Sequence, residues 1–346
     1  MEYRCLGKTD LKISLICLGS MTFGEQNTEL EAFEQMDYAL EQGVNFIDTA
    51  EMYPIPARGE TQGQAEEYVG KWMKQRGNRE KVIVASKITG PSPGLTHIRE
   101  GKTQFNRAYI RKAVTGSLKR LKTDYIDLYF VHWPERSTNM FGKLGYEHRD
   151  EEGLTDIADT LVALDELVQE GKVRHLGISN ETPWGLMQYL KASDRAGLSR
   201  TMAIQNPYSL LNRSFEIGLA EFAHREVVSL MAYSPLGFGV LSGKYLNLVQ
   251  PVGARRTLFT RYDRYSNQVG ILATEAYVSL AGKAGLNSAQ MALAYVNSRP
   301  FVTSTIIGAT SIAQLRLNIA STDIKLSGEV LAAIEAIHKQ YPNPCP

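Results

Sequence analysis

Polar residues close a succession of apolar runs in this sequence. Asp48 ends VNFID, Lys87 ends VIVASK and His132 ends IDLYFVH. Ser179 and Asn180 end LGISN, Gln205 ends AIQ and Tyr233 ends SLMAY. A polar residue at any one of these ends is ordinary surface chemistry. Repeated at run after run, it describes one converging site. Within that set an acid and a lysine suit each other, because a carboxylate holds an ammonium charged and fixed. A tyrosine beside them completes a proton donor: free phenol has a pKa of about 10, and a neighbouring ammonium favours the phenolate. Tyr53, in DTAEMYP just beyond Asp48, is the candidate donor, and His132 is placed to hydrogen-bond a substrate oxygen. The chemistry implied is proton donation to a carbonyl, which requires a reductant as well.

Positioning such a set requires parallel strands that end on one rim. SLICLG (14–19), VNFID (44–48), KVIVASK (81–87), YIDLYFVH (125–132), VRHLGIS (173–179), MAIQ (202–205), VVSLMAY (227–233) and STIIG (304–308) are strand-length and apolar on successive positions. Strands buried on both faces read this way. Helical spacing fills the intervals. Thr28-x-x-Glu31 and Thr61-x-x-Gln64 have the form of capping boxes. Leu30, Phe33, Met36 and Leu40 fall near one face of the first helix. Asn106 caps a helix directing Ile110, Ala113, Val114, Leu118 and Leu121 inward. Further helices are expected around 161–168, after Pro183, and around 215–222, 288–296 and 311–319.

Eight buried strands alternating with helices predict an α/β fold, a (β/α)8 TIM barrel occupying residues 1–346 as one domain. The GKTD turn predicts an N-terminal β-hairpin closing the barrel floor. Long loops follow the third strand (Pro91–Gly101), the fourth (Trp133–Asp156) and the seventh (Tyr233–Arg264), on the C-terminal face where barrels carry their sites.

Composition removes several other classes. Lys+Arg at 38 against Asp+Glu at 37 gives a net charge of +1, so no nucleic-acid or membrane-surface partner is expected. The longest uncharged stretch, 227–243, contains Pro235, Gly237, Gly239 and Gly243, poor material for a membrane span. Cys5, Cys17 and Cys345 are too few and too scattered for a disulfide framework, and Cys345 falls in a Pro-rich end read as exposed. The six histidines show no ligand spacing, so no metal is expected, and a cytoplasmic location follows from the charged N-terminus.

The segments DTAEMY, VIVASK, DYIDLYFVHWP, GKVRHLGISN, IQNPYSLLNR, AYSPLGFGVLSGKY and IIGATSIAQLRLNI resemble the aldo-keto reductases along nearly the whole chain. That resemblance implies Tyr53 as general acid, Lys87 lowering its pKa, Asp48 pairing with Lys87, and His132 orienting the carbonyl. It implies NADPH as cofactor, with the nicotinamide against Tyr233 and its carboxamide at Ser179, Asn180 and Gln205. Ser234, Pro235, Leu236, Gly237, Gly239, Leu241, Ser242, Gly243 and Lys244 would follow the pyrophosphate. Gly308, Thr310, Gln314 and Asn318 match the adenosine side, although Leu317 and Gly308 replace a Glu and a Lys found in relatives.

GFGVLSGKY is neither a dinucleotide fingerprint nor a P-loop. Ser242 occupies the third glycine position of the first, while Phe238 and Tyr245 break the second. The preference for NADPH rests instead on residues 244–264. There Lys244, Arg255, Arg256, Arg261 and Arg264 face one acid, Asp263, a local charge of +4, with Lys244 and Arg255 the expected clamp on the 2′-phosphate. The substrate is expected to be a small carbonyl compound walled by Trp133, Phe141, Tyr53, Met21 and Met52, and the oligomeric state stays open. Potassium-channel β-subunits also resemble the sequence, which leaves a cofactor-binding regulatory subunit with slow turnover as the alternative.

Overall fold

The computed structural model describes residues 1–260 and 262–346. An antiparallel hairpin, β1 (Tyr3–Cys5) and β2 (Lys12–Ser14), precedes eight strands. These are β3 (Ile16–Gly19), β4 (Phe46–Asp48), β5 (Ile83–Ile88), β6 (Ile126–Val131), β7 (Val173–Ser179), β8 (Thr201–Pro207), β9 (Ser229–Tyr233) and β10 (Val302–Ile307). They close into a parallel barrel in chain order, β10 pairing with both β9 and β3. The helices are α1 (Glu29–Glu41), α2 (Gln64–Arg76), α3 (Arg107–Leu121), α4 (Ile157–Gln169), α5 (Pro183–Ala196), α6 (Leu219–Glu226), the single turn α7 (Arg255–Leu258), α8 (Gln268–Lys283), α9 (Ser288–Asn297), α10 (Ile312–Ile319) and α11 (Gly328–Gln340). The (β/α)8 barrel with its N-terminal hairpin is therefore the observed architecture.

Two layers of apolar contact hold it. Leu6 and Ile13 of the hairpin pack with Cys17, Phe46, Leu128, Phe130 and Met231 in a cluster inside the barrel, so the hairpin plugs the floor. The larger core lies between strands and helices, where alternate strand residues meet the inner helix faces. At the floor end, the buried Asp127 carboxylate accepts from Arg79, Arg174 and the Val84 N–H.

Local chemistry accounts for most of the helix starts. Thr28 and Glu31 form the expected capping box: Thr28 Oγ1 accepts from the Glu31 N–H at 3.3 Å, and Glu31 Oε2 accepts from the Thr28 N–H at 2.8 Å. Asn106 Oδ1 accepts from the Tyr109 N–H at 3.0 Å. Thr61 differs from expectation. Its side chain makes no cap, and α2 starts instead after Gly63, whose φ is +84°. A Cβ at Gly63 would stand 2.5 Å from the Arg120 side chain, so glycine chemistry, not a capping box, opens this helix. Leu30 also departs from its assignment, at 69% exposure. The Thr28 cap phases α1 so that Ala32, Phe33, Gln35, Met36 and Ala39 face inward. Cys345 is buried rather than exposed, packed beside Gly270 of α8 with its N–H donated to the Leu211 carbonyl.

Two helices fall outside the apolar pattern. The inner face of α8 is built from Gly270, Ala273, Thr274, Tyr277 and Ala281, while Val269 and Leu272 are exposed. In α11 Ile334 alone is fully buried. The three long connections follow β5, β6 and β9, all on the C-terminal rim. Among the described residues no helix is long and apolar enough to cross a membrane, and no group of three or more His, Cys, Asp and Glu could hold a metal.

Candidate active site

Parallel pairing brings the polar strand ends to one mouth. Asp48 is the last residue of β4, Lys87 lies near the end of β5, and His132 follows β6 directly. Ser179 ends β7 opposite Gln205 of β8, and Tyr233 ends β9. Lys87 is fully buried. Its Nζ donates to Asp48 Oδ2 at 2.6 Å and to the Thr49 carbonyl at 2.7 Å. The same ammonium lies 4.8 Å from the centroid of the Tyr53 ring. His132 meets that ring edge-on, with centroids 5.8 Å apart and planes at 75°. Trp133 packs against His132, and Phe141 meets Trp133 edge-on. Asp48, Lys87, Tyr53 and His132 thus form one contiguous group beneath an aromatic wall.

A belt of hydrogen bonds runs from this group around the rim. Gln205 Nε2 donates to Asp48 Oδ1 at 2.9 Å, so both carboxylate oxygens have partners. Ser179 Oγ donates to the Gln205 carbonyl at 2.7 Å. Asn180 Nδ2 donates to the His132 carbonyl and to Ser179 Oγ, and the Tyr233 hydroxyl donates to Asn180 Oδ1 at 2.6 Å. Asn180 has a φ of +55°, which asparagine tolerates better than most residues.

Burial governs the protonation states here. It pushes the Lys87 ammonium down, opposed by the charge and hydrogen bond of Asp48. Burial, then the Lys87 charge, holds His132 well below the usual imidazole range, so the ring is neutral. Its Nδ1 is buried without a hydrogen-bond partner among the described residues. Tyr53 is held well above the usual phenol value by burial first and the Asp48 charge second, with Arg255 opposing. The expected lowering by Lys87 does not lead this balance. Lys87 lies over the ring face, two of its three protons given to Asp48 and Thr49, while the desolvated hydroxyl stays protonated.

The loop after β9 supplies a second chemistry. Ser234, Gly237, Phe238, Gly239 and Gly243 all have φ between +53° and +88°. That winding turns the N–H groups of Gly237 and of 239–243 onto carbonyls of the turn itself, so the charge available to an anion comes from the side chains that follow. Pro235 and Leu236 lie in the same turn, Leu241 is buried beneath it, and Ser242 Oγ bonds the Gly239 carbonyl. Lys244 and Arg255 are half-buried, and among the described residues neither has an ion-pair partner. Lys244 is pushed down by burial and by the Arg255 charge, and Arg255 is pushed down by burial. Two desolvated cations that feel each other are what an anionic ligand would relieve. Arg255 rests 5.4 Å from the Phe238 ring centroid and within electrostatic reach of Tyr53. Of the other basic residues, Arg256 lies over Tyr245, Arg264 donates to the Pro346 carbonyl, and Arg261 lies outside the described residues.

On the last connection Gly308 is exposed, with open space where a Cβ would stand. Gln314 accepts from the Thr310 N–H and is also exposed, whereas Asn318 is buried and braces the Gly308 carbonyl. Sequence spacing does not register the buried ion pair Glu51–Arg99 or the half-buried pair Arg136–Glu181. Each joins residues of two different loops, and the sole local sign is a charged Glu51 inside the run that carries Tyr53.

Residues 15–339 match the Aldo/keto reductase family. The chain is 53% identical to the protein tas of Escherichia coli over the full length of both. It is 34% identical to the uncharacterized oxidoreductase YrpG of Bacillus subtilis, over 99% of this chain and 97% of that one. It is 29% identical to a probable voltage-gated potassium channel subunit beta of Arabidopsis thaliana, over 99% and 98%.

Proposed function

The chain belongs to the aldo/keto reductase family, and from that premise we propose an NADPH-dependent reductase that converts aldehyde and ketone carbonyls to alcohols. The observation that carries this reading is the buried Lys87–Asp48 pair beneath the Tyr53 ring, with neutral His132 at its edge. Bound NADPH supplies the hydride for the carbonyl carbon. Tyr53 gives its proton to the carbonyl oxygen, and its high pKa means that it holds that proton until negative charge develops there. Lys87 over the ring face and Arg255 within electrostatic reach then favour the phenolate, with Asp48 fixing the Lys87 ammonium. His132, uncharged, orients the carbonyl oxygen by a hydrogen bond, and buried Trp133 walls the substrate, with the exposed Phe141 edge-on against it.

The residues present suit this cofactor. Tyr233 offers a ring face at the mouth, and Ser179, Asn180 and Gln205 offer groups that both donate and accept. The run 234–244 would follow the pyrophosphate, and Lys244 and Arg255, without an ion-pair partner among the described residues, offer charge for the 2′-phosphate. Gly308, Thr310, Gln314 and Asn318 would border the adenosine. Replacing Lys244 and Arg255 by Ala is expected to weaken NADPH binding about tenfold or more per charge-assisted contact, with NADH affected little. Equal losses for both cofactors in a fluorescence titration would refute the 2′-phosphate role.

The function itself is tested by following NADPH absorbance with a panel of aldehydes, ketones and quinones. Steady oxidation with some members is expected. Tight NADPH binding with negligible turnover across the panel would instead favour a regulatory subunit, the role named for the Arabidopsis relative.

A further inference from the structure

Beside the Lys87–Asp48 pair lies a second buried pair that the proposed chemistry does not use. The side chains of Glu51 and Arg99 are 3% and 5% exposed. Arg99 Nη1 donates to Glu51 Oε1, Nη2 donates to the Thr89 carbonyl at 2.9 Å, and Nε donates to the Lys102 carbonyl at 3.1 Å. Glu51 Oε1 also accepts from the Thr89 N–H. The Glu51 backbone is committed too: its N–H donates to the Lys87 carbonyl at 3.3 Å, and its carbonyl accepts from Gln62 Nε2 at 2.6 Å. Glu51 stands two residues before Tyr53, and Thr89 two residues after Lys87. One ion pair therefore ties the segment that carries the proposed acid to the strand end that carries its lysine.

Stability is a weak reason for such a pair, since buried ion pairs are often matched by apolar residues of the same volume. Apolar residues could not hold the N–H and C=O of Thr89 together. Arg99 and the following Glu100 have φ of +47° and +60°, a left-handed backbone that L-residues rarely adopt, and it aims the guanidinium inward. We infer that Glu51 and Arg99 are positioning residues that fix the Tyr53 hydroxyl relative to Lys87 and the substrate oxygen, and so set the rate of proton donation. This rests on the reading of Tyr53 as the acid.

The test compares Arg99→Met, Arg99→Lys and Glu51→Gln with Tyr53→Phe. Arg79→Met, which breaks a buried pair at the barrel floor, is the structural control. Arg99→Met is expected to lower kcat about 10- to 100-fold, the scale of a misplaced reacting group. Its solvent deuterium isotope effect on kcat should rise because proton donation becomes limiting, while the Kd for NADPH holds within about twofold. Arg99→Lys should recover part of the loss, and Arg79→Met should lower the melting temperature with kcat unchanged. Should Arg99→Met fail to fold, Glu51→Gln, which keeps an acceptor for the Thr89 N–H, carries the same expectation at smaller amplitude. A folded Arg99 or Glu51 variant with parental kcat and isotope effect, beside an inactive Tyr53→Phe, overturns the positioning role alone. An active Tyr53→Phe overturns the acid assignment and this inference with it.

Discussion

Tyr53→Phe is expected to lower turnover by about 10²- to 10⁴-fold, the usual contribution of a positioned general acid, while NADPH binding and folding persist. The Tyr53 ring lies 4.8 Å from the Lys87 ammonium and 5.8 Å from the His132 ring, centroid distances, and the substitution removes a single oxygen. The ring of Phe keeps the edge contact with His132 and the face toward Lys87, so packing is conserved. What disappears is the proton. Because burial and Asp48 hold the phenol well above its ordinary pKa, activity should not fall off at mildly alkaline pH through loss of that proton. Pre-steady-state kinetics with the variant should show the defect in the chemical step, with cofactor affinity retained.

Lys87→Met should have the largest effect on stability. It leaves the Asp48 carboxylate buried, with Gln205 Nε2 still bonded but no counter-charge. Stranding one partner of a buried pair typically costs about 3–5 kcal/mol, readable as a lower urea midpoint at unchanged slope. Turnover should fall as well, since the cation under the Tyr53 ring is gone. The double variant Asp48→Asn with Lys87→Met separates the two roles. It is expected to regain much of the stability, because no unpaired charge remains, and to stay as slow as the single variant. Recovery of activity together with stability would mean that the pair matters only as packing.

The strands and the mouth were legible in the sequence for one physical reason. Strands buried on both faces are apolar at successive positions, so Asp48, Lys87, His132 and Gln205 stand out where each strand emerges. The GKTD turn marked the hairpin in the same way. Thr61 misleads because Thr-x-x-Gln has the form of a cap, whereas the left-handed Gly63 opens the helix. Helix α8 is hard to read because its inner face is Gly, Ala, Thr and Tyr, with aliphatic residues turned outward. Glu51–Arg99 is invisible because the partners are 48 residues apart in two irregular loops. The state of Tyr53 was beyond reach as well. Residue types suggest a phenol lowered by lysine; burial and the Asp48 charge push it up, and the depth of the ring that sets this balance cannot be read from spacing.

Reduction of a carbonyl at the Tyr53–Lys87–Asp48–His132 mouth can be followed by isotope transfer. With NADPH carrying deuterium at both nicotinamide C4 positions and a carbonyl compound from the panel, the alcohol should carry one deuterium on the carbinol carbon, formed at a rate that Tyr53→Phe suppresses. Oxidation of the cofactor with no deuterium in any alcohol, or NADPH held tightly with no alcohol formed from any carbonyl, would rule out carbonyl reduction at this mouth.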